Sequence, residues 1–385
     1  MSKAQPLNIL IINWRDIRNP EAGGAELHLH EVALRLVKAG HSCVLYSHAY
    51  DGAPTEETID GIKVYRRGSR LLFNFTVWFH VRSWENKHKP DVIIDDSNKA
   101  PFFLPWLCQA PVVVRIHHLF GKVFFKETGF IQALYLFLLE RFAAFSWRNR
   151  PVIAVSESTR KDLTRLGVHG VTIALNGVDA SQYRLGTPVP KKPYTIVYMG
   201  RLKKYKGLDV IFHAIARLQE RLPDIRLEVA GRGDDKPRLE ALASSLGISN
   251  QVSFLGFITE AEKVRLYTEA AIVANTSLKE GYGLTIIEAN ACGTAVVATD
   301  VPGLCDSVKD GITGFLVPRN DSKAFADKLC FLLENPDKRR EMEKACLEWA
   351  GEHNWGNTFD VTQEVLTKAA MTGQYIQRKG AKAQS

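Results

Sequence analysis

The sequence predicts an α/β protein with two Rossmann-like domains, and three observations lead to this expectation. The chain has 385 residues, which is too long for a single hydrophobic core. Apolar runs of strand length alternate with helical patterns in both halves, as is typical of parallel α/β domains. Between the halves, the segment from Arg184 to Pro193 has three prolines, a glycine and several charges, and this composition indicates a linker.

Strand-like runs follow one another along both halves of the chain. In the first half they are Asn8–Ile12, Ser42–Ser47, Val92–Asp95, Val112–Ile116, Val152–Val155 and Val171–Ala174. In the second half they are Thr195–Met199, Arg226–Ala230, Val252–Leu255, Ile272–Asn275 and Ala295–Ala298. Because ligands of open parallel sheets bind at the carboxyl ends of the strands, the loops after these runs are the expected place for site residues.

Composition and charge restrict the class of protein. An apolar fraction of 45% with 24% charged residues indicates a globular chain, and no apolar run reaches the roughly 20 residues that cross a bilayer. The six cysteines form no C-x-x-C pair and are expected to be reduced thiols of a cytoplasmic protein. The formal net charge of +8 favours phosphate-bearing ligands or anionic lipids, whereas no motif supports a nucleic-acid partner.

A glycine pair opens the first predicted helix. Neither half has G-x-G-x-x-G after its first strand, so a nicotinamide or flavin cofactor is not expected in the usual place. Instead, Gly23 and Gly24 precede a helix that carries Leu27, Val32 and Leu36, and their backbone N–H groups could approach a diphosphate. A plain Gly-Gly turn is the alternative.

Two cations follow the first strand of the second half. That strand ends at Gly200, and Arg201 and Lys206 come before the next helix. At the carboxyl end of a strand they could neutralise a departing diphosphate. A solvated basic loop is the alternative, since Lys203 and Lys204 lie in the same loop.

The segment from Glu280 to Glu288 places two carboxylates eight residues apart around a glycine-rich turn. Gly281 and Gly283 let the backbone approach a ligand, and a helix that begins near Leu284 would turn its N-terminus toward a phosphate. Such a segment suits a nucleotide sugar, with the sugar at the turn and the ribose at the helix. A loop glutamate followed by a solvated helical glutamate is the alternative.

Taken in order, these segments resemble the retaining glycosyltransferases of family four, from about residue 8 to about residue 350. The motifs are Gly23-Gly24-Ala-Glu, Val155-Ser-Glu-Ser158, Asn176-Gly-Val-Asp179, Gly200-Arg201 with Lys206-Gly207, Ala230-Gly-Arg-Gly233, Phe254-Leu-Gly256 and Glu280 to Gly293. The resemblance implies a GT-B fold, in which two Rossmann-like domains face each other across a cleft.

The resemblance also implies a division of labour between the domains. Residues 1–186 would form the acceptor domain, and residues 187–354 would form the domain that binds the nucleotide-sugar donor. A last helix at about 355–375 would pack back on the first domain, and residues 376–385 are expected to form a disordered basic tail.

Roles in donor binding follow from the matched motif positions. Arg201 and Lys206 match the pair that binds the donor diphosphate and stabilises its developing charge. Glu280 matches the carboxylate at the transferred sugar, and Glu288 matches the one at the ribose hydroxyls. Further donor contacts are expected at Gly23, Gly24, Gly200, Gly231, Gly281, Tyr282, Gly283 and Leu284.

A histidine on the acceptor side completes the expected catalytic set. His117 matches a family histidine near the reacting sugar carbon, and this chain has His118 where the family more often has an aspartate. Which of the two imidazoles faces the cleft stays open. Asp95 and Asp96 are interpreted as loop carboxylates that could contact the acceptor.

The implied reaction moves a hexose-type sugar from a UDP- or GDP-linked donor with retention of configuration. The expected route is a front-face reaction in which the departing diphosphate helps to deprotonate the acceptor. Neither a metal nor another cofactor is expected, because the chain has no D-x-D motif and Arg201 and Lys206 can supply the positive charge.

The acceptor is expected to be a glycan or a polyprenyl-diphosphate-linked sugar of polysaccharide assembly. Aromatic and basic residues crowd the stretches 71–84 and 118–148, which suits contact with an anionic membrane surface. A core helix that packs on the sheet is the alternative for Ile131, Leu134, Tyr135, Leu138 and Phe142. Other activities left open are a GT-B sugar phosphorylase, a nucleotide-sugar epimerase and a catalytically idle nucleotide-binding scaffold.

Overall fold

The structure is a computed structural model that describes residues 5–97, 100–127, 129–183 and 189–382. The chain divides into two compact units. The first comprises Met1–Gly121, Phe130–Gly177 and Trp355–Ser385, and the second comprises Lys122–Gly129 and Val178–Asn354. Each is a Rossmann-like α/β domain built on a largely parallel sheet, which confirms the predicted fold class.

The first unit contains these strands: β1 (Asn8–Asn13), β2 (Ser42–Ser47), β3 (Glu56–Ile59), β4 (Ile62–Arg66), β5 (Val92–Ser97), β6 (Val112–Ile116), β7 (Val152–Ala154) and β8 (Val171–Ile173). In the described part of the chain they form an eight-stranded sheet of order β3-β4-β2-β1-β5-β6-β7-β8. Neighbours run parallel, except that β3 and β4 form an antiparallel pair.

Helices cover both faces of this sheet. They are α1 (Gly24–Lys38), α2 (Phe73–His88), α3 (Leu104–Leu107), α5 (Phe130–Trp147), α6 (Glu157–Arg165) and α13 (Trp355–Lys382). Because successive strand residues point to opposite faces, Leu10 packs with Phe73 of α2 while its neighbour Ile9 packs with Leu36 of α1 and Leu366 of α13. The C-terminal helix is therefore part of the core of the first unit.

The second unit contains β9 (Lys192–Met199), β10 (Arg226–Ala230), β11 (Val252–Gly256), β12 (Ala270–Asn275), β13 (Ala295–Thr299) and β14 (Gly314–Val317). Within the described residues they form a six-stranded parallel sheet of order β11-β10-β9-β12-β13-β14. Its helices are α4 (Phe124–Glu127), α7 (Leu208–Leu218), α8 (Lys236–Ser245), α9 (Glu260–Glu269), α10 (Leu284–Ala291), α11 (Ser322–Glu334) and α12 (Pro336–Glu352).

The boundary between the units lies between Gly177 and Val178, whereas the sequence analysis divided the chain after residue 186. The backbone N–H of Val178 donates to the carbonyl of His353 at 2.8 Å, and the Tyr183 hydroxyl donates to the Glu288 carboxylate at 2.9 Å. These two bonds attach the segment after Gly177 to the second unit.

Two predicted irregular segments differ from the structure. The predicted linker falls partly outside the described residues, and β9 already begins within it at Lys192. Helix α13 continues to Lys382, so residues 376–382 are helical where a disordered tail was predicted, and residues 383–385 lie outside the described residues. Five of the seven residues from 376 to 382 are good helix formers, namely Gln377, Arg378, Lys379, Ala381 and Lys382.

Candidate active site

Two loops at the carboxyl ends of β9 and β10 are joined backbone to backbone. The N–H of Leu202 donates to the carbonyl of Arg232 at 2.9 Å. A Cβ atom on Gly231 would lie 1.9 Å from the carbonyl oxygen of Gly200, so only glycine allows this approach. This contact fixes the start of the loop that carries the predicted cation pair.

Arg201 begins that loop and is exposed. Its carbonyl accepts a hydrogen bond from the Tyr198 hydroxyl at 3.1 Å, and its Nη2 atom donates to the Tyr205 hydroxyl at 3.2 Å. Tyr198 is fully buried, which anchors the backbone under an exposed guanidinium group. The guanidinium is near enough to Lys206 to oppose the charge there and lower its pKa slightly.

Lys206 forms an ion pair with Glu280, and both side chains are largely buried. Burial alone would lower the pKa of Lys206, but the Glu280 carboxylate outweighs this effect, so the pKa is raised and the amine is a cation. The same Glu280 oxygen accepts a hydrogen bond from the Ser277 hydroxyl at 2.6 Å. Lys206, which was predicted to bind the donor diphosphate, and Glu280, which was predicted to contact the sugar, are thus in direct contact.

The backbone explains why Lys206 and Glu280 meet. Gly207 has a φ of +64°, and a Cβ atom there would lie 2.5 Å from the carbonyl oxygen of Thr276. The Thr276 hydroxyl donates to the Lys206 carbonyl at 3.2 Å, and the N–H of Leu278 donates to the Tyr205 carbonyl at 2.8 Å. The loops after β9 and β12 are therefore held together by hydrogen bonds on both sides of a required glycine.

Glu288 lies on α10 in a polar pocket of the second unit, and its side chain is only 5% exposed. One carboxylate oxygen accepts hydrogen bonds from the Tyr183 hydroxyl at 2.9 Å and from the Lys263 amine at 3.1 Å. The other accepts one from the Tyr267 hydroxyl at 3.3 Å. Although burial opposes it, the Glu288 charge helps to raise the pKa of Lys263, which stabilises the buried pair as ions.

These three partners of Glu288 were not predicted from the sequence. Lys263 and Tyr267 lie four residues apart on α9 and so point to the same side of that helix. This four-residue spacing is the feature of the sequence that could have indicated that both side chains contact the same group. Tyr183 gave none, because it lies in an irregular segment far from Glu288 in the sequence.

The glycine-rich turn between the two glutamates is braced by the protein itself. The N–H of Gly283 donates to the Gly303 carbonyl at 3.1 Å, and that of Leu284 donates to the Tyr282 carbonyl at 2.7 Å. Two of the amides predicted to contact the donor are thus already bound within the protein, and Gly281 lies between Glu280 and this braced part. Tyr282 is buried, and its hydroxyl has no hydrogen-bond partner among the described residues.

In the first unit, His117 follows β6 directly and lies in a buried polar network. Its Nε2 atom is 2.7 Å from an Asp96 carboxylate oxygen, and the other oxygen of Asp96 is 3.7 Å from Arg115. The backbone carbonyl of His117 accepts a hydrogen bond from the Thr159 hydroxyl at 3.3 Å. His118 is half-buried, and its ring meets Phe120 edge-on at 4.3 Å.

The interpretation of Asp95 and Asp96 as loop carboxylates is wrong. Both lie within β5 and are fully buried. Asp96 is aligned with Arg115 in the neighbouring strand, so an opposite charge compensates for its burial. Burial raises the pKa of Asp95 to about 7, while the Leu104 N–H opposes this shift and the Asp96 charge adds to it.

His28 of α1 extends the same network. Its Nδ1 atom is 2.5 Å from the side-chain oxygen of Asn176, and its ring packs edge-on against His117 at 5.3 Å and against Trp355 at 5.6 Å. Burial lowers the pKa of His28 well below its ordinary value, and the charges of Arg115 and His117 lower it further. His28 is therefore a neutral imidazole whose orientation is fixed by Asn176.

The predicted glycine pair begins α1, as expected. The N–H of Gly23 donates to the Glu26 carboxylate at 2.8 Å, and Gly24 is the first helical residue. A phosphate at this helix N-terminus would have to share it with the Glu26 carboxylate. Among the described residues, no group of three or more His, Cys, Asp or Glu side chains is placed to hold a metal ion.

Comparison with known proteins places this geometry in a family. The family profile described as Glycosyl transferases group 1 matches residues 179–349, and the profile described as Glycosyltransferase Family 4 matches residues 22–182. Together they cover every predicted site residue and, apart from β1, all the strands of both sheets.

Curated relatives are glycosyltransferases as well, and solved structures share the fold. A D-inositol 3-phosphate glycosyltransferase of Corynebacterium urealyticum is 40% identical over 45% of this chain and 42% of its own length. The phosphatidyl-myo-inositol mannosyltransferase of Mycobacterium leprae is 27% identical over 92% of this chain and 96% of its own length. The structure of HepE from Anabaena in complex with UDP and glucose has a TM-score of 0.74 at 21% identity, over 94% of this chain and 100% of that one.

The match to the inositol phosphate enzymes is partial, since the chain spans about half their length. The likeness to HepE defines the fold, and that fold is GT-B, as the sequence predicted. The family profiles show the family in addition to the fold, and they confirm the resemblance seen in the motifs. The chain belongs to the group 1 glycosyltransferases of family four.

Proposed function

We propose that the protein transfers a hexose from a UDP- or GDP-linked donor to a sugar acceptor and retains the anomeric configuration. The observation that carries this proposal is the contact of Lys206 with Glu280 beside Arg201, at the carboxyl end of the second sheet. Family membership supports a glycosyltransferase activity. The UDP and glucose bound to HepE support a nucleotide-sugar donor.

The basic pair supplies the charge that the donor diphosphate needs. When the bond between the anomeric carbon and the diphosphate breaks, negative charge develops on the leaving oxygen. Lys206 is held in place by Glu280 and by its backbone contacts, so it needs little rearrangement to meet that charge. Arg201 would add a second cation, and on this basis we propose that no metal ion is required.

Glu288 suits the ribose of the donor. A carboxylate can accept two hydroxyl hydrogen bonds, and Glu288, the fifth residue of α10, lies one turn beyond the helix N-terminus at which the diphosphate would bind. Tyr183 and Lys263 hold the carboxylate in one orientation.

A front-face route fits the surroundings of Glu280 better than a double displacement. A carboxylate that is paired with a lysine and accepts a serine hydroxyl is a weak nucleophile, because both contacts stabilise its charge. In the front-face route, the acceptor hydroxyl attacks from the side on which the diphosphate leaves. Its proton passes to the departing diphosphate oxygen, and the new glycosidic bond keeps the configuration.

For the acceptor we propose a lipid-linked sugar, reached at the cytoplasmic face of a membrane. The Mycobacterium leprae relative is named for a lipid acceptor, phosphatidyl-myo-inositol. The first unit also presents an exposed apolar face, which a lipid-borne substrate would favour.

The test begins with a titration of the purified protein against UDP, GDP, ADP and CMP, with and without a chelator. We expect tight binding of UDP or GDP that the chelator does not change. The matching nucleotide sugars are then incubated with acceptor extracts, and the anomeric configuration of the product is read by NMR. No nucleotide binding would favour an idle scaffold, and turnover with phosphate as the acceptor would favour a phosphorylase.

A further inference from the structure

Helix α5 presents its large apolar side chains to the outside. Its buried residues are Ala133, Ala143, Ala144, Ser146 and Trp147, of which all but Trp147 are small. The large side chains that are exposed are Phe130, Ile131, Leu134, Tyr135, Leu138, Phe142 and Phe145. A surface helix of a soluble domain normally has the opposite arrangement, with its large apolar side chains buried.

The predicted alternative of a core helix is therefore wrong for this face. Ile131 is 85% exposed, and Tyr135 is 61% exposed. Among the described residues, α5 is also the one helix that is long and apolar enough to cross a membrane, judged by length and composition alone, and only 28% of it is buried. Such a segment was not expected from the sequence.

Helix α5 does not stand alone in this arrangement. On α2, Phe75 is 50% exposed and Phe79 is 79% exposed, and Leu71 just before the helix is 86% exposed. Aromatic rings connect the two helices in a chain of contacts 5.4 to 6.3 Å apart, through Phe75, Trp78, Phe103, Trp106, Phe142 and Phe145. We name the exposed large apolar side chains of α2, α3 and α5, together with Leu71, the apolar face.

The charges around the apolar face are positive. Arg82, Arg141 and Arg148 are exposed, and the guanidinium groups of the last two lie over phenylalanine rings at 4.5 and 5.3 Å. The acidic side chains of the same helices accept backbone N–H groups. Glu85 is buried, binds the N–H groups of Gln109 and Ala110 and lies 3.6 Å from Arg82. Glu140 is half-buried and binds two backbone N–H groups of the loop after β6, so Arg141 and Arg148 supply most of the positive charge here.

Glu140 also links the apolar face to the candidate site. Its carboxylate accepts the N–H groups of Phe120 and Gly121 at 2.7 and 2.8 Å. These residues follow His117 and His118 in the chain. A surface that fixes α5 would therefore also fix the loop next to the predicted acceptor-side histidine.

We propose that the apolar face inserts into the outer part of an anionic lipid bilayer, so that the first unit is a monotopic membrane domain. This inference rests on the proposed function, because it names where the lipid-linked acceptor is met. Exposed apolar residues would enter the acyl region, Trp78 and Tyr135 suit the interface, and the arginines would meet anionic headgroups.

The helix lies on the bilayer and does not cross it. Ala143, Ala144 and Trp147 belong to the core of the first unit, together with Val114 of β6 and Leu163 of α6. A crossing helix would have to leave that core. Insertion to the depth of the exposed side chains leaves the fold intact.

The experiment is flotation with vesicles that contain no acceptor and no donor. One set combines phosphatidylglycerol with phosphatidylcholine, and the other is phosphatidylcholine alone. The variant Phe79→Glu with Ile131→Glu places two charges on the apolar face. Ile312→Glu is the matched control, since Ile312 is 55% exposed and belongs to the second unit.

We expect the wild-type protein and the control to float with anionic vesicles and to remain partly bound in high salt. The double variant should bind about tenfold or more weakly, because it exchanges burial of apolar surface for burial of charge. Brominated acyl chains should quench tryptophan fluorescence, and the quenching should decrease in Trp78→Phe with Trp106→Phe. Salt-labile binding without quenching would overturn insertion and leave only surface attraction.

Two further outcomes would also overturn the proposal. The wild-type protein could fail to float, or it could form a dimer that the double variant converts to a monomer, which would assign the apolar face to a second copy. Nucleotide affinity measured on the same variants separates this test from the proposed function. Flotation with no nucleotide binding would remove the transferase proposal alone, and nucleotide binding without flotation would remove only the membrane proposal.

Discussion

The two units both place charged groups near the carboxyl ends of their strands, but they do so in different ways. In the second unit, Lys206 and Glu280 lie on loops, with side chains 13% and 18% exposed. In the first unit, Arg115 and Asp96 lie within strands and are 0% exposed. A loop pair can exchange a protein partner for a ligand, whereas a strand pair is fixed by the sheet around it.

The difference assigns separate tasks to the two clusters. In the proposed function, the pair in the second unit holds the cation that meets the donor diphosphate. The cluster in the first unit determines the surroundings of His117, because Asp96 contacts its ring and neutral His28 packs against it. The proposed binding of charge therefore belongs to the second unit, and orientation of one imidazole belongs to the first.

The largest effect is expected for Lys206→Ala. Loss of one preorganised donor costs about 2.7–4 kcal/mol of transition-state stabilisation, so turnover should fall by about two orders of magnitude or more. Lys203→Ala is the control, because Lys203 lies in the same loop but pairs with the exposed Asp234. Steady-state kinetics with the matching nucleotide sugar measure both variants. Turnover of Lys206→Ala near that of the control would remove Lys206 from the reaction.

The buried carboxylate of Asp95 gives the next largest effect, and it acts on stability. Burial holds the pKa of Asp95 at about 7, above its ordinary value of 3.8. The folded chain therefore keeps this proton at a pH where the unfolded chain loses it, and stability falls as the pH rises from about 4 to about 7. Asp95→Asn removes this titration and should gain about 2 kcal/mol relative to the wild type between about pH 5 and pH 7.

Urea unfolding at the two pH values measures this difference. Glu343→Gln is a useful control, since burial also raises the pKa of Glu343 but the neighbouring Lys191 and Arg339 oppose the shift. A stability difference for Asp95→Asn that stays constant with pH would mean that Asp95 is ionised in the folded state. The contrast between an exchangeable and a fixed cluster would then be weaker than the burial suggests.

Much of the fold of the two units could be predicted from the sequence, and the elements that were missed have physical reasons. The apolar runs predicted β2, β6 and β10 with their observed bounds, because these strands are largely buried and carry apolar side chains at most positions. The pair β3 and β4 was missed, since its members are short and rich in charged residues.

Some residues of the candidate site could also be predicted from the sequence, and others could not. Gly200, Arg201, Lys206 and the two glutamates were predicted, because a glycine turn next to charged residues is a local pattern. The partners of Glu288 and the strand position of Asp96 depend on contacts between distant segments. The predicted run Val92–Asp95 placed Asp95 at a strand end, yet both carboxylates were interpreted as loop residues, and only the register with Arg115 shows how the sheet accommodates Asp96.

The smallest effect is expected for Tyr183→Phe, and its sign is informative. The variant removes one hydroxyl from Glu288 and leaves Lys263 in contact with the same oxygen. If Tyr183 orients the carboxylate for the ribose, nucleotide affinity should fall about fivefold, which corresponds to about 1 kcal/mol for one hydrogen bond. Calorimetric titration with UDP or GDP measures this change, and Tyr267→Phe, which removes a longer bond of 3.3 Å, should have a smaller effect. Tighter binding by Tyr183→Phe would mean that the tyrosine competes with the ribose, so that Glu288, like Lys206, exchanges a protein partner for the ligand.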